Sequence, residues 1–183
     1  MRKLNAVLAM GITALFLVHA ITGAFQLMGV MSGGSAFLSV LSWVMLGLIV
    51  LHVIISVKLT VDTVVAIKRA KASYFKENKL FWIRRISGLA VMLFIVCHVV
   101  IFMGRNEDGA YRLALFEGVQ LATQILLVLS LALHILSNIR PLMLALGVKS
   151  FKDALIDAML VLSVIMLFAG AGFAIYWLRW NVF

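Results

Sequence analysis

Apolar residues form long uninterrupted stretches along this chain, and charged residues are confined to the segments between them. No charged side chain occurs between Lys3 and Lys58, and the turn-rich segment 29–35 divides that stretch into two parts. Three further stretches follow, each with the roughly 20 apolar residues that a membrane-spanning helix needs. The pattern therefore predicts transmembrane helices over about residues 4–28, 36–67, 81–104, 117–146 and 153–179.

Composition supports an all-α integral membrane protein, with residues 1–183 as one transmembrane domain. The chain is 64% hydrophobic and 13% charged, whereas soluble domains are about half apolar and about a quarter charged. No nucleotide-binding glycine motif occurs, and one cysteine excludes a disulfide framework. The N-terminal segment resembles a signal peptide, but its apolar run continues past Ala20 to Met28. We interpret it as the first helix.

The positive charges predict an orientation. Of the 16 Lys and Arg residues, all but Arg105, Arg112 and Arg179 fall on one side of the predicted membrane. Cytoplasmic loops carry the excess of Lys and Arg, so we expect the N-terminus in the cytoplasm and the C-terminus outside. The net charge of +9 then reflects topology and contact with anionic lipid headgroups, not nucleic-acid binding.

Four histidines are the informative residues, because each falls in a different predicted helix, the first four of the five: His19, His52, His98 and His134. Ionisable side chains at membrane depth indicate function by default, although each could instead be hydrogen-bonded to another helix for structural reasons. At 1.5 Å per residue, His52 and His134 each lie about 9 Å from the cytoplasmic ends of their helices. The other two histidines fall in the outer halves. The sequence thus predicts two layers, each with two histidines.

Facing imidazoles in a membrane fit a haem iron, which takes two axial ligands, better than zinc, which prefers additional thiolate or carboxylate ligands. We therefore predict a bundle that encloses two stacked b haems. Gly23, Gly47 and Gly88 lie near the histidines and would let a flat macrocycle approach, although small residues also pack helices together. The candidate cations for haem propionates are Lys58, Arg85 and Arg140 at the inner haem and Arg105 and Arg112 at the outer haem.

At these residues the chain resembles the single-chain, five-helix, dihaem cytochrome b anchors of succinate:quinone and quinol:fumarate oxidoreductases. The resemblance rests on Arg85-Ile86-Ser87-Gly88 followed by His98-Val99, and on the segment from His134 to Arg140. It implies that His19 pairs with His98 at the outer haem and that His52 pairs with His134 at the inner haem.

The same resemblance implies the partners. They are a cytoplasmic FAD-containing flavoprotein, which carries the succinate or fumarate site, and an iron–sulfur subunit that passes electrons through the haems to membrane quinone, with menaquinone as the expected species. The basic segment from Lys58 to Arg85 would help to dock the iron–sulfur subunit. The resemblance also implies the cytoplasmic membrane of a prokaryotic cell, and it allows a dimer of such complexes.

Two departures from the family concern protons and quinone. Some members have a glutamate two residues before the fourth ligand, where this chain has Ala132, and some have an acidic quinone-site residue that this chain lacks.

We expect the quinone near the outer haem, with Gln26, Asn106, Glu117 and Gln120 as candidate contacts. A site between the haems or at the cytoplasmic rim is the alternative, and these side chains could also be ordinary interfacial residues.

Two other functions stay open. One is a dihaem cytochrome b of another respiratory enzyme, such as a hydrogenase or formate dehydrogenase anchor or a b561-like reductase. The other belongs to a different class, a cofactor-free membrane transporter or assembly protein.

Overall fold

Five long helices make up nearly all of the structure. The computed structural model describes residues 1–70, 79–103, 105–107, 110–112, 116–148 and 152–182, and for 105–107, 110–112 and 152 the backbone alone. The helices are α1 (Arg2–Met28), α2 (Ala36–Arg69), α3 (Lys79–Phe102), α4 (Gly118–Ala145) and α5 (Lys152–Asn181). Each is long and apolar enough to cross a membrane. This confirms the predicted multi-pass helical class, while the orientation stays a prediction.

The connection between α1 and α2 follows from its residues. Gly29 ends α1 in the left-handed region, with φ 78°, where glycine has no steric penalty. The N–H groups of Gly29 and Val30 donate to the carbonyls of Gln26 and Phe25, at 3.0 and 2.9 Å. Ser35 then caps α2, because its hydroxyl oxygen accepts from the Leu38 N–H at 3.4 Å.

Helix α4 continues through Pro141 without ending there. Proline has no backbone N–H, so the carbonyl of Ser137, four residues earlier, loses its usual helical donor. The Nε of Arg84 on α3 donates to that carbonyl at 2.8 Å. A side chain from the neighbouring helix thus replaces the missing bond, as backbone groups in an apolar surrounding require.

A short hairpin between α3 and α4 is the one departure from the predicted all-helical pattern in the described ranges. Strand β1 (Arg105–Glu107) pairs antiparallel with β2 (Ala110–Arg112), and Arg105 lies opposite Arg112. Three residues are too few for the alternation of polar and apolar positions that identifies a strand in a sequence.

The helices pack as two pairs joined by α5. Helix α1 packs against α2 and α5, and α4 packs against α3 and α5. Close approach of α1 and α5 uses small residues, since a Cβ at Gly172 would lie 3.1 Å from the Ala24 Cβ. Helix α2 makes extensive contacts with α1 alone, among the residues that the structure describes. Helix α1 also contacts α4 to a lesser extent, so the wide space lies between α2 and the α3–α4 pair.

Candidate functional site

One large cavity occupies the space between the helix pairs. Its volume is about 2020 Å³, and residues from all five helices line it, including all four histidines. Pockets for one small ligand usually measure roughly 300–1,000 Å³. The cavity therefore has room for more than one large ligand, and its walls are mostly apolar side chains.

His19 of α1 and His98 of α3 lie together toward the end of the cavity at which α1 and α3 terminate. Their ring centroids are 5.9 Å apart and their planes are inclined by 78°. The ring of His98 also packs against two aromatic side chains, with centroids 5.0 Å from Phe102 and 6.2 Å from Phe173. Aromatic neighbours on both α3 and α5 thus restrict the orientation of this imidazole.

His52 of α2 and His134 of α4 lie toward the opposite end. Both line the cavity and are close enough to interact electrostatically, and Arg85 interacts with each of them. The His134 ring lies directly against the backbone of α3, because a Cβ at Gly88 would be 3.0 Å from the His134 Cε1. The structure therefore places His19 beside His98 and His52 within electrostatic range of His134, while the assignment of either pair to a ligand stays a prediction.

Three of the four imidazoles have their Nδ1 atom engaged by another helix. The His98 Nδ1–H donates to Oε1 of Gln124, at 2.7 Å. Ser42 donates its hydroxyl to the Leu38 carbonyl and so accepts from Nδ1–H of His19, at 3.0 Å.

The hydroxyl of Ser87 plays the same part at His134. It donates to the Arg84 carbonyl and accepts from the His134 Nδ1–H at 3.3 Å. A histidine whose Nδ1 carries the proton has an Nε2 lone pair available to a metal, and such hydrogen bonds hold the ring in position.

His52 differs from the other three. Its buried Nδ1 has no hydrogen-bond partner among the described residues, while its ring lies near the backbone of Asn5 on α1. The Asn5 side chain in turn accepts a hydrogen bond from the Ser56 hydroxyl at 3.2 Å. Helix α1 therefore contacts the surroundings of His52 as well as supplying His19.

The donor set suits a group that needs two axial ligands. Within the described ranges, no three His, Cys, Asp or Glu residues cluster as a metal ion held by protein ligands alone would require. Metal–imidazole bonds of roughly 2 Å on either side of an iron would place two ring centroids about 6 Å apart. The 5.9 Å separation of His19 and His98 matches that spacing.

The cations differ in position. Arg85 lines the cavity, as do Arg84 and Arg2, which sequence reasoning did not select. Lys58 and Arg140 are exposed and do not line it. The side chains of Arg105 and Arg112 lie outside the described residues. In the sequence, Arg84 could have been noticed because it stands beside Arg85. Its partner, the Ser137 carbonyl, is identified only by the packing of α3 on α4.

The candidate quinone contacts also differ in position, because only some of them line the cavity. Gln26 lines the cavity, and its amide donates to the Ser32 carbonyl at 3.2 Å. Gln120 accepts a hydrogen bond from the Glu117 backbone N–H at 3.1 Å in a capping-box arrangement at the start of α4. Neither Glu117 nor Gln120 lines the cavity, and the Asn106 side chain lies outside the described residues.

Gln124, which was not among the candidates from the sequence, lies one helical turn after Gln120. It is fully buried, and its Oε1 accepts a hydrogen bond from His98. Of the glycines near the histidines, Gly23 and Gly88 line the cavity and Gly47 does not.

Comparison with known proteins returned no relative. The sequence matches no protein-family model, and no curated protein and no solved structure is significantly similar to it.

Proposed function

We propose that this chain is the membrane anchor and electron-transfer subunit of a succinate dehydrogenase or fumarate reductase complex, with two bis-histidine b haems in its cavity. The observation that carries the proposal is the set of four intramembrane histidines, which line one cavity as two neighbouring pairs. The placement of the complex in a prokaryotic cytoplasmic membrane belongs to the same proposal.

The residues at each end fit a haem. His19 and His98 would hold one group, and His52 and His134 the other. Arg85, with Arg84 beside it, is the cation at the cavity wall next to the inner pair, where it would neutralise propionates. A bound haem supplies one-electron redox chemistry.

The protein's own contribution is to position the imidazole ligands and to surround the bound groups with apolar side chains. Ser42, Gln124 and Ser87 keep three imidazoles in one tautomer and orientation. Phe102, Phe173 and the mostly apolar walls of the cavity would limit the access of water to a bound group. Low polarity around a redox group affects its potential and limits side reactions.

The two ends of the helix bundle offer different surfaces, one for the partner subunit and one for quinone. The cytoplasmic end of α2 carries Lys68 and Arg69 in its last turn, a basic surface to which an acidic face of the iron–sulfur subunit would bind. At the outer end, Gln26 is the candidate quinone contact that lines the cavity. Its amide could donate to a quinone carbonyl if it released the Ser32 carbonyl.

Purification of the chain from its native membrane under mild detergent tests the proposal. We expect a pyridine haemochrome spectrum of haem b, with two haems per chain, and co-purification of a flavoprotein and an iron–sulfur protein. Haem without those subunits would favour another dihaem cytochrome b. A chain free of haem would refute both readings and favour a transporter or assembly protein.

A further inference from the structure

The fully buried amide of Gln124 has a defined orientation. The residue is 0% exposed, and its Nε2 donates to the Thr123 hydroxyl oxygen at 3.2 Å. That hydroxyl donates to the Gln120 carbonyl at 2.7 Å, so its oxygen is free to accept from the amide. The amide nitrogen is thereby engaged within α4, and Oε1 is directed at His98.

The bond to His98 is the shortest that any of the four histidines makes through Nδ1 in the described structure. Oε1 of Gln124 accepts from Nδ1–H at 2.7 Å, whereas the Ser42 and Ser87 bonds measure 3.0 and 3.3 Å. Burial of a polar side chain at this depth is costly unless each polar atom is satisfied. Hydrogen bonding to His98 satisfies Oε1 and fixes the histidine at the same time.

We infer that Gln124 is a positioning residue that holds His98 as the Nδ1–H tautomer and sets its strength as a metal ligand at the outer site. The inference rests on the proposed function, since it assigns His98 to haem iron. An acceptor on Nδ1–H increases the basicity of Nε2 and so favours the oxidised metal. Gln124 thus lowers the potential of the outer haem relative to a histidine without such an acceptor.

Two substitutions with different expected effects test this inference. Gln124→Leu removes the acceptor, so the outer-haem potential should rise. Gln124→Glu keeps an acceptor of the same length, so the haem should be retained and its potential should fall or stay at the parent value. The inner haem is an internal control in every variant, and potentials are read from a redox titration followed by absorbance. Ser163→Ala is the control, because it removes a polar group whose hydroxyl donates within α5, to the Met159 carbonyl at 2.7 Å, and the residue does not line the cavity.

A second measurement does not depend on haem. With only four histidines in the chain, nitrogen-15 spectra of histidine-labelled protein can resolve the tautomer of each. His98 should be protonated at Nδ1 in the parent and in Ser163→Ala, and should lose that preference in Gln124→Leu.

The outcomes separate the two proposals. A parent chain without haem that still shows the Gln124-dependent tautomer would refute the proposed function and leave the contact established. Loss of the outer haem in Gln124→Leu, with retention in Gln124→Glu, supports the positioning role. Both haems bound, with the outer potential and the His98 tautomer unchanged in Gln124→Leu, would overturn the inference.

Discussion

Replacement of Gly88 by alanine should damage the inner site through one steric contact. The new Cβ would lie 3.0 Å from Cε1 and 3.3 Å from Nδ1 of His134, roughly 0.5 Å inside the optimal carbon–carbon separation of about 3.5 Å. The ring must therefore move, and the 3.3 Å hydrogen bond that its Nδ1–H donates to Ser87 is already near the length limit for a hydrogen bond. Overpacking of this kind costs about 1–3 kcal/mol, against a gain in helix propensity of up to about 1 kcal/mol.

The measurement combines the free energy of unfolding in detergent with a haem count and an absorbance spectrum. We expect Gly88→Ala to be less stable than the parent and to lose haem from the inner site. Gly47→Ala is the matched control, because a Cβ there meets no atom within 4 Å and the residue does not line the cavity. If Gly88→Ala matched Gly47→Ala in stability and contained both haems with unaltered spectra, the steric argument would be refuted.

Three further experiments test separate contacts. His52→Ala and His134→Ala should each abolish the same component of a redox titration, and loss of different components would contradict their pairing. Arg84→Leu should lower the free energy of unfolding by about 1–3 kcal/mol. Arg84→Leu should lower the free energy of unfolding less in a Pro141→Ala background, because the new backbone N–H of residue 141 can donate to the Ser137 carbonyl. Additive costs of the two substitutions in a double-mutant cycle would disprove that coupling. Gln120→Leu should cost roughly 0.5–2 kcal/mol of stability through its cap, while loss of quinone turnover in an equally stable variant would instead support a quinone contact.

The sequence was sufficient for the helices and for the depth of the histidines. Observed helix termini differ from the predicted ones by no more than two residues, because the boundaries follow from charge and turn residues. Depth along a helix follows from a fixed rise per residue, so the two layers were predictable.

The atoms around each imidazole were not predictable in the same way. Ser87 and His134 are 47 residues apart in sequence, and their contact depends on how α3 and α4 are rotated against each other. The same holds for Gln124, whose spacing from Gln120 fitted an outer polar surface equally well. Rotation is decided by packing, which hydropathy alone does not describe.

Helix α2 shows why the cavity and the fold depend on each other. It contributes no buried residue, and the side-chain hydrogen bonds that join it to another helix, between Ser42 and His19 and between Ser56 and Asn5, involve α1. Its inward side, with His52, lines the cavity and, within the described ranges, makes no extensive contact with α3 or α4. An apolar macrocycle held by His52 and His134 would supply that packing and link α2 to α4. The histidines proposed to carry electrons would therefore also fix the position of the helix that has the fewest contacts of its own.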